Sequence, residues 1–129
     1  MTSSTQDLAC EVSAPARARR WIAERLRAVL PDDPAAGRLV DDAVLCVSEL
    51  VTNALQAGCT TATLRLDTGE ASVRLSLSDN APGRPQPRAS GPRDLRGRGL
   101  AIIEALARAW GVDPAGSGKV VWVELGRTA

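Results

Sequence analysis

Two stretches of strict apolar–polar alternation, residues 61–67 and 71–79, are separated only by Thr68-Gly69-Glu70. Successive side chains of a strand point to opposite faces, so period two places Ala71, Val73, Leu75 and Leu77 together on one face. A connection this short joins antiparallel strands as a hairpin. A lone hairpin is marginal in water, so its apolar face must be extended by further strands and covered by another layer. Asp79 falls in the same phase as the apolar residues. A carboxylate continuing a buried face is costly unless it meets a partner, which marks Asp79 as informative.

The covering layer is legible upstream. Residues 34–57 carry Leu39, Ala43, Val47, Leu50 and Ala54 in one stripe, widened by Val40, Val44, Val51 and Leu55. Asp32 or Asp33 is placed to cap this helix, Pro34 to open it and Gly58 to stop it. So wide an apolar band predicts a central helix buried on more than one side. An earlier helix runs from Ser13 as N-cap and Pro15 in the first turn to about Leu30, with Trp21, Ile22, Leu26, Val29 and Leu30 on one side. Residues 8–12 read as a short strand, and the polar residues 1–6 as a loose N-terminus. After the hairpin, residues 80–98 hold prolines, glycines and arginines without periodicity, which reads as a functional lid. A third helix is expected over about 100–109, a short strand at Trp110-Gly111-Val112, a turn over 114–118 and a last strand over 120–125. That last strand is apolar on both faces and therefore interior. The expected class is α/β in the α+β sense, a single domain over 1–129. It is a two-layer sandwich: one mixed sheet of about five strands with three helices on one face.

Composition closes several routes. The chain has 3 cysteines and no histidine, which removes histidine-based catalysis and leaves zinc short of ligands. An odd cysteine count without paired spacing does not read as a disulfide framework, so a cytoplasmic protein with reduced thiols is expected. A net charge of +1 argues against a dedicated nucleic-acid surface. No run approaches the roughly 18–20 apolar residues that span a bilayer, so no membrane partner is expected.

Polar residues at particular places remain. Glu49 and Asn53 stand four apart and so share one helix face. Asn offers an oxygen to a hard cation, and Glu offers a base one turn away. Asp79 ends a strand and Gly83 follows; Gly97-Arg98-Gly99 opens a helix after the basic lid. Each has an ordinary alternative: a solvated helix edge, a turn, flexible punctuation. Gly116-Ser117-Gly118-Lys119 resembles the tail of a P-loop, but Asp113 and Val120 occupy positions the full pattern reserves for Gly and Ser/Thr, so it reads as a hairpin turn. Ile102 likewise breaks a dinucleotide fingerprint.

Taken in order, Glu49-Leu50-Val51-Thr52-Asn53-Ala54, Asp79 to Gly83, and Gly97-Arg98-Gly99-Leu100 resemble the N, G1 and G2 boxes of the GHKL ATPase family. The chain is most similar there to the stand-alone anti-sigma-factor serine/threonine kinases, over about residues 8–126. The resemblance implies ATP and Mg²⁺ as ligands. It implies Asn53 as the metal ligand, Glu49 as the catalytic base and Asp79 as acceptor for the adenine 6-amino group. It also implies Gly83, Arg96, Gly97, Arg98, Gly99 and Leu100 as further nucleotide-binding residues. It implies protein partners, an anti-sigma-factor antagonist or a sigma factor, and it leaves a homodimer open. Two departures count against tight ATP binding: an Ala where positive φ is needed costs about 1 kcal/mol, and a lost water-mediated hydrogen bond about as much. Ala81 stands where the family has Gly, and Val120 stands about where the last strand commonly has Thr near the adenine. The alternative reading is a binding module of the same fold that acts by sequestering its partner, with weak or no ATP binding.

Overall fold

The computed structural model describes residues 2–81 and 98–127, without the side chains of 98–100. The chain runs β1 (Thr2–Ala9), α1 (Ala14–Val29), α2 (Pro34–Gln56), β2 (Thr61–Thr68), β3 (Ser72–Asp79), α3 (Arg98–Leu106), β4 (Ala109–Ala115) and β5 (Gly118–Gly126). The strands form one five-stranded sheet in the order β1-β2-β3-β5-β4. β5 is interior, as its two apolar faces require.

Every pairing is antiparallel, which corrects the expected mixed sheet. The crossover through α3 lays β4 at the far edge, and the Gly116-Ser117 hairpin returns β5 into the gap beside β3. β3 and β4 therefore run the same way without ever pairing. Gly116 takes φ +59, a left-handed conformation that suits glycine in this two-residue turn.

The N-terminus is a second correction. Residues 2–9 are not loose but pair along the whole of β2, from Thr2 with Thr68 to Ala9 with Thr61. Only Leu8 of this strand is buried. An edge strand needs backbone partners on one side only, so it forms here without the apolar alternation that makes strands legible.

α2 is built by its caps. The Asp33 carboxylate accepts a hydrogen bond from the Ala36 N–H at 2.8 Å, and Gly58 ends the helix at φ 93. Ser13 precedes α1 but its side chain makes no cap hydrogen bond. α1 buries Ala14, Ala18, Ile22 and Leu26, whereas Val29, expected inside, is 40% exposed. The helical layer meets one sheet face, where Leu64, Val73, Leu75, Leu77, Val123 and Leu125 close over Val47, Ile22 and Ile103. Each such side chain contributes about 1.5–3 kcal/mol on burial. Trp122 lies on the other face, its ring pressed on Gly111 and covered by the Arg74 guanidinium at 4.1 Å.

Cys10 and Cys59 form a disulfide, which corrects the expectation of reduced thiols. They are 49 residues apart in sequence, but the pairing of Ala9 with Thr61 makes them neighbours. Spacing rules see sequence distance, not strand register. Cys46 is free and buried.

Candidate functional site

Asp79 is the last residue of β3, in phase with the buried Val73, Leu75 and Leu77. Its carboxylate has found partners. Oδ1 accepts from the Ala81 N–H at 2.8 Å. The Lys119 ammonium donates to Oδ2 at 3.0 Å and to Oδ1 at 3.3 Å. This pair follows from sheet register: Asp79 and Lys119 are directly opposed across β3 and β5, so their side chains share a face. The backbones are also close, since a methyl group on Gly118 would overlap the Asp79 carbonyl oxygen.

Register corrects one expectation about this strand. Val120 opposes Ser78 on one side and Asp113 on the other, and neighbouring strand residues face opposite ways. The β5 side chain on the Asp79 face is therefore Lys119, not Val120. Sequence reading placed the strand correctly but not its phase, which only the register to β3 reveals. Lys119 is the functional candidate the sequence reading missed. Its one signal was a lone lysine in an arginine-rich chain, directly after a glycine turn.

Asn80 ties the end of β3 to the end of α2. Its Oδ1 accepts from the Thr60 N–H at 2.9 Å and the Thr61 N–H at 3.1 Å. Its Nδ2 donates to Thr60 Oγ1 at 2.7 Å. The Cys59 N–H in turn donates to the Ala54 carbonyl at 3.1 Å. Asn53 sits in that last turn of α2, its carbonyl accepting from the Ala57 N–H at 3.0 Å. Glu49 is one turn earlier. Both are half-buried, flanking the buried Leu50 and Ala54. α2 packs on β3, β5 and α3. Glu49, Asn53 and Asp79 thus stand on two packed elements, strapped together by residues 59–61 and Asn80.

The acids of α2 act on its interior. Burial first, then the charges of Asp42 and Glu49, push the Cys46 thiol from 9.0 up to about 12. Among the described residues, no hydrogen bond engages the Glu49 or Asn53 side chain. Gly83, Arg96 and Gly97, with the rest of residues 82–97 of the expected lid, lie outside the described residues. Arg98, Gly99 and Leu100 form the first turn of α3.

Two clefts of about 190 and 260 Å³ are found at the opposite end of the sheet, sharing Ala35, Leu39 and Arg127. They hold neither Asp79 nor Glu49 nor Asn53. The charged residues lining these clefts are Asp33, Arg38, Asp42, Glu70 and Arg127.

A family model described as the histidine kinase-like ATPase domain matches residues 9–125. The sequence comparison with curated proteins gives no match. Among solved structures, the chain is similar to the RsbU and RsbW domains of a Mycobacterium tuberculosis protein, with a TM-score of 0.69 and 21% identity. That match covers 100% of this chain and 33% of the other. The histidine kinase domain of a blue-light activated histidine kinase from Erythrobacter litoralis matches with a TM-score of 0.54 and 17% identity, over 89% of this chain and 60% of the other. The chain thus spans a third of the first of these and three fifths of the second; the likeness is one of fold.

Proposed function

This chain belongs to the histidine kinase-like ATPase family, and from that membership we propose that it is an ATP-dependent serine/threonine protein kinase. Its substrate is a small anti-sigma-factor antagonist, and it sequesters a sigma factor when that antagonist is absent. The observation that carries the reading is Asp79, a carboxylate held on the buried face of a strand end and strapped to the helix that bears Glu49 and Asn53. The fold match to a chain containing an RsbW domain supports it.

The donor set fits a hard cation. Asn53 offers a carboxamide oxygen, and among the described residues no group of three or more His, Cys, Asp or Glu side chains gathers to hold a metal alone. A cation held by Asn53 would need further oxygen ligands from phosphate and water, as is usual for Mg²⁺. Asn53 would hold the ion, which would supply positive charge to offset that of the phosphates. In the proposed reaction Glu49 accepts the proton of the substrate hydroxyl. That oxygen then forms its bond to the γ-phosphorus, and the bond to the departing ADP oxygen breaks. Asp79 holds the base, and the N–H groups that open α3, at Arg98, Gly99 and Leu100, face the phosphates. Gly83, Arg96 and Gly97 belong to the same proposed site. No described helix is long and apolar enough to cross a membrane, and sigma-factor control places the protein in the cytoplasm in this reading.

Incubation with labelled ATP, Mg²⁺ and candidate antagonists tests the proposal: label appears on a Ser or Thr of one antagonist and on none with the E49A variant. Absence of transfer to every antagonist, with ATP bound, leaves the second reading. That reading, a regulator acting by contact alone, is favoured by one observation: the Asp79 carboxylate already has Lys119 and Ala81 as partners.

A further inference from the structure

Resting on that reading of the site, we propose that Lys119 is a specificity-determining residue of the base position and makes it accept both 6-amino and 6-oxo purine nucleotides. A carboxylate alone is a pure acceptor: it bonds the amino group of adenine and repels the carbonyl oxygen of guanine. Here the carboxylate does not stand alone. The Lys119 ammonium lies 3.0 Å from Asp79 Oδ2, so an acceptor and a charged donor are presented side by side. Adenine offers a matching pair in its 6-amino group and N1. Guanine offers one in its 6-oxo group and N1–H, in the opposite order. The pair can meet either edge.

Three features make this a built arrangement. The close approach at Gly118 and the direct opposition of Asp79 and Lys119 fix the base of the lysine side chain. The Asp79 side chain is 1% exposed and that of Lys119 is 20% exposed, so an incoming base edge meets the ammonium first. Among the described residues, Asp79 Oδ1 takes both the Ala81 N–H and Lys119, whereas Oδ2 takes Lys119 alone. One lone pair of Oδ2 is left for a base donor, and the ammonium, with three N–H groups, keeps at least one for a base acceptor.

Titration calorimetry with MgATP and MgGTP on the full chain, wild type against K119M and K119Q, tests this. The wild type is expected to bind the two within about tenfold of each other. K119M leaves only the acceptor: ATP loses its N1 partner but keeps the 6-amino bond, whereas GTP loses its 6-oxo partner and sets that oxygen against a bare carboxylate, so both weaken, GTP more, and the ratio widens to about a hundredfold, since each charge-assisted hydrogen bond gained or lost is worth about tenfold. K119Q, neutral but retaining an N–H donor, falls between. Lys119 is also the one lysine, so amine-labelling mass spectrometry follows it in the unmutated protein: either nucleotide is expected to protect it. A wild type that already prefers ATP a hundredfold, with the same ratio in K119M and no protection of Lys119, overturns the inference and leaves the ATP site standing. Binding of neither nucleotide to the wild type or the variants overturns the reading on which it rests.

Discussion

In the proposed kinase site, Glu49 and Asp79 would separate two jobs that such a site performs at different moments. Glu49 is half-buried on α2, away from the sheet register that fixes Asp79. On the proposed roles, its removal would take away a proton acceptor but no base contact. E49A is expected to leave the calorimetric affinity for MgATP within about twofold and to lower phosphoryl transfer by the 10²–10⁴-fold typical of a general base. An affinity that falls together with the rate would show Glu49 to be a ligand of the nucleotide or its metal instead. Cys46 offers a check on the same helix. Its folded-state thiol is raised to about 12 from 9.0 by burial, with Asp42 and Glu49 adding to the shift. Raising an acid's folded pKa means the native state holds the proton longer than the unfolded one. The stabilisation is therefore fully present below pH 9 and is lost as pH rises through about 12. In the native protein at pH 8 a thiol-specific chromophore should find no rapidly reacting group. The signal should appear only on unfolding.

At the scale of elements, β5 decides the site. Its start is pressed on the end of β3 so closely that a methyl group at Gly118 would overlap the Asp79 carbonyl oxygen. Because the obstacle is backbone, one strand must shift. G118A is expected to cost about 1–3 kcal/mol, read as a lower denaturant midpoint, and to weaken nucleotide binding more than G37A, where nothing lies near. The same elements show what a sequence discloses. α2 was legible because Asp33, Pro34 and Gly58 punctuate it and its apolar band repeats at helical period. β2 and β3 were legible because one face is wet, so alternation survives, and that alternation carried Asp79 inward. β1 was not, since a polar edge strand is held by backbone bonds that leave no side-chain pattern. The all-antiparallel order and the facing of Lys119 depend on which strands meet and in what register. Both are set by contacts between residues some forty positions apart, which no local window contains.

The whole molecule is closed by Cys10–Cys59, which bonds the end of β1 to the connection between α2 and β2. A bond across 49 residues removes much of the unfolded chain's freedom, about 4 kcal/mol on the chain-entropy account. Its position gives it a second effect. Cys59 precedes Thr60 and Thr61, whose N–H groups hold Asn80, and Asn80 follows Asp79. Opening the disulfide therefore loosens both the global fold and the strap at the candidate site. Reductant should lower the denaturant midpoint of the wild type, and C10S/C59S should match the reduced protein and no longer respond to reductant. MgATP affinity should fall in both. Under the proposed cytoplasmic role, where most thiols are kept reduced, the affinity of the reduced protein would be the one that matters. Equal midpoints with and without reductant would show that Cys10 and Cys59 stay thiols, and the strap would then rest on the Asn80 hydrogen bonds alone.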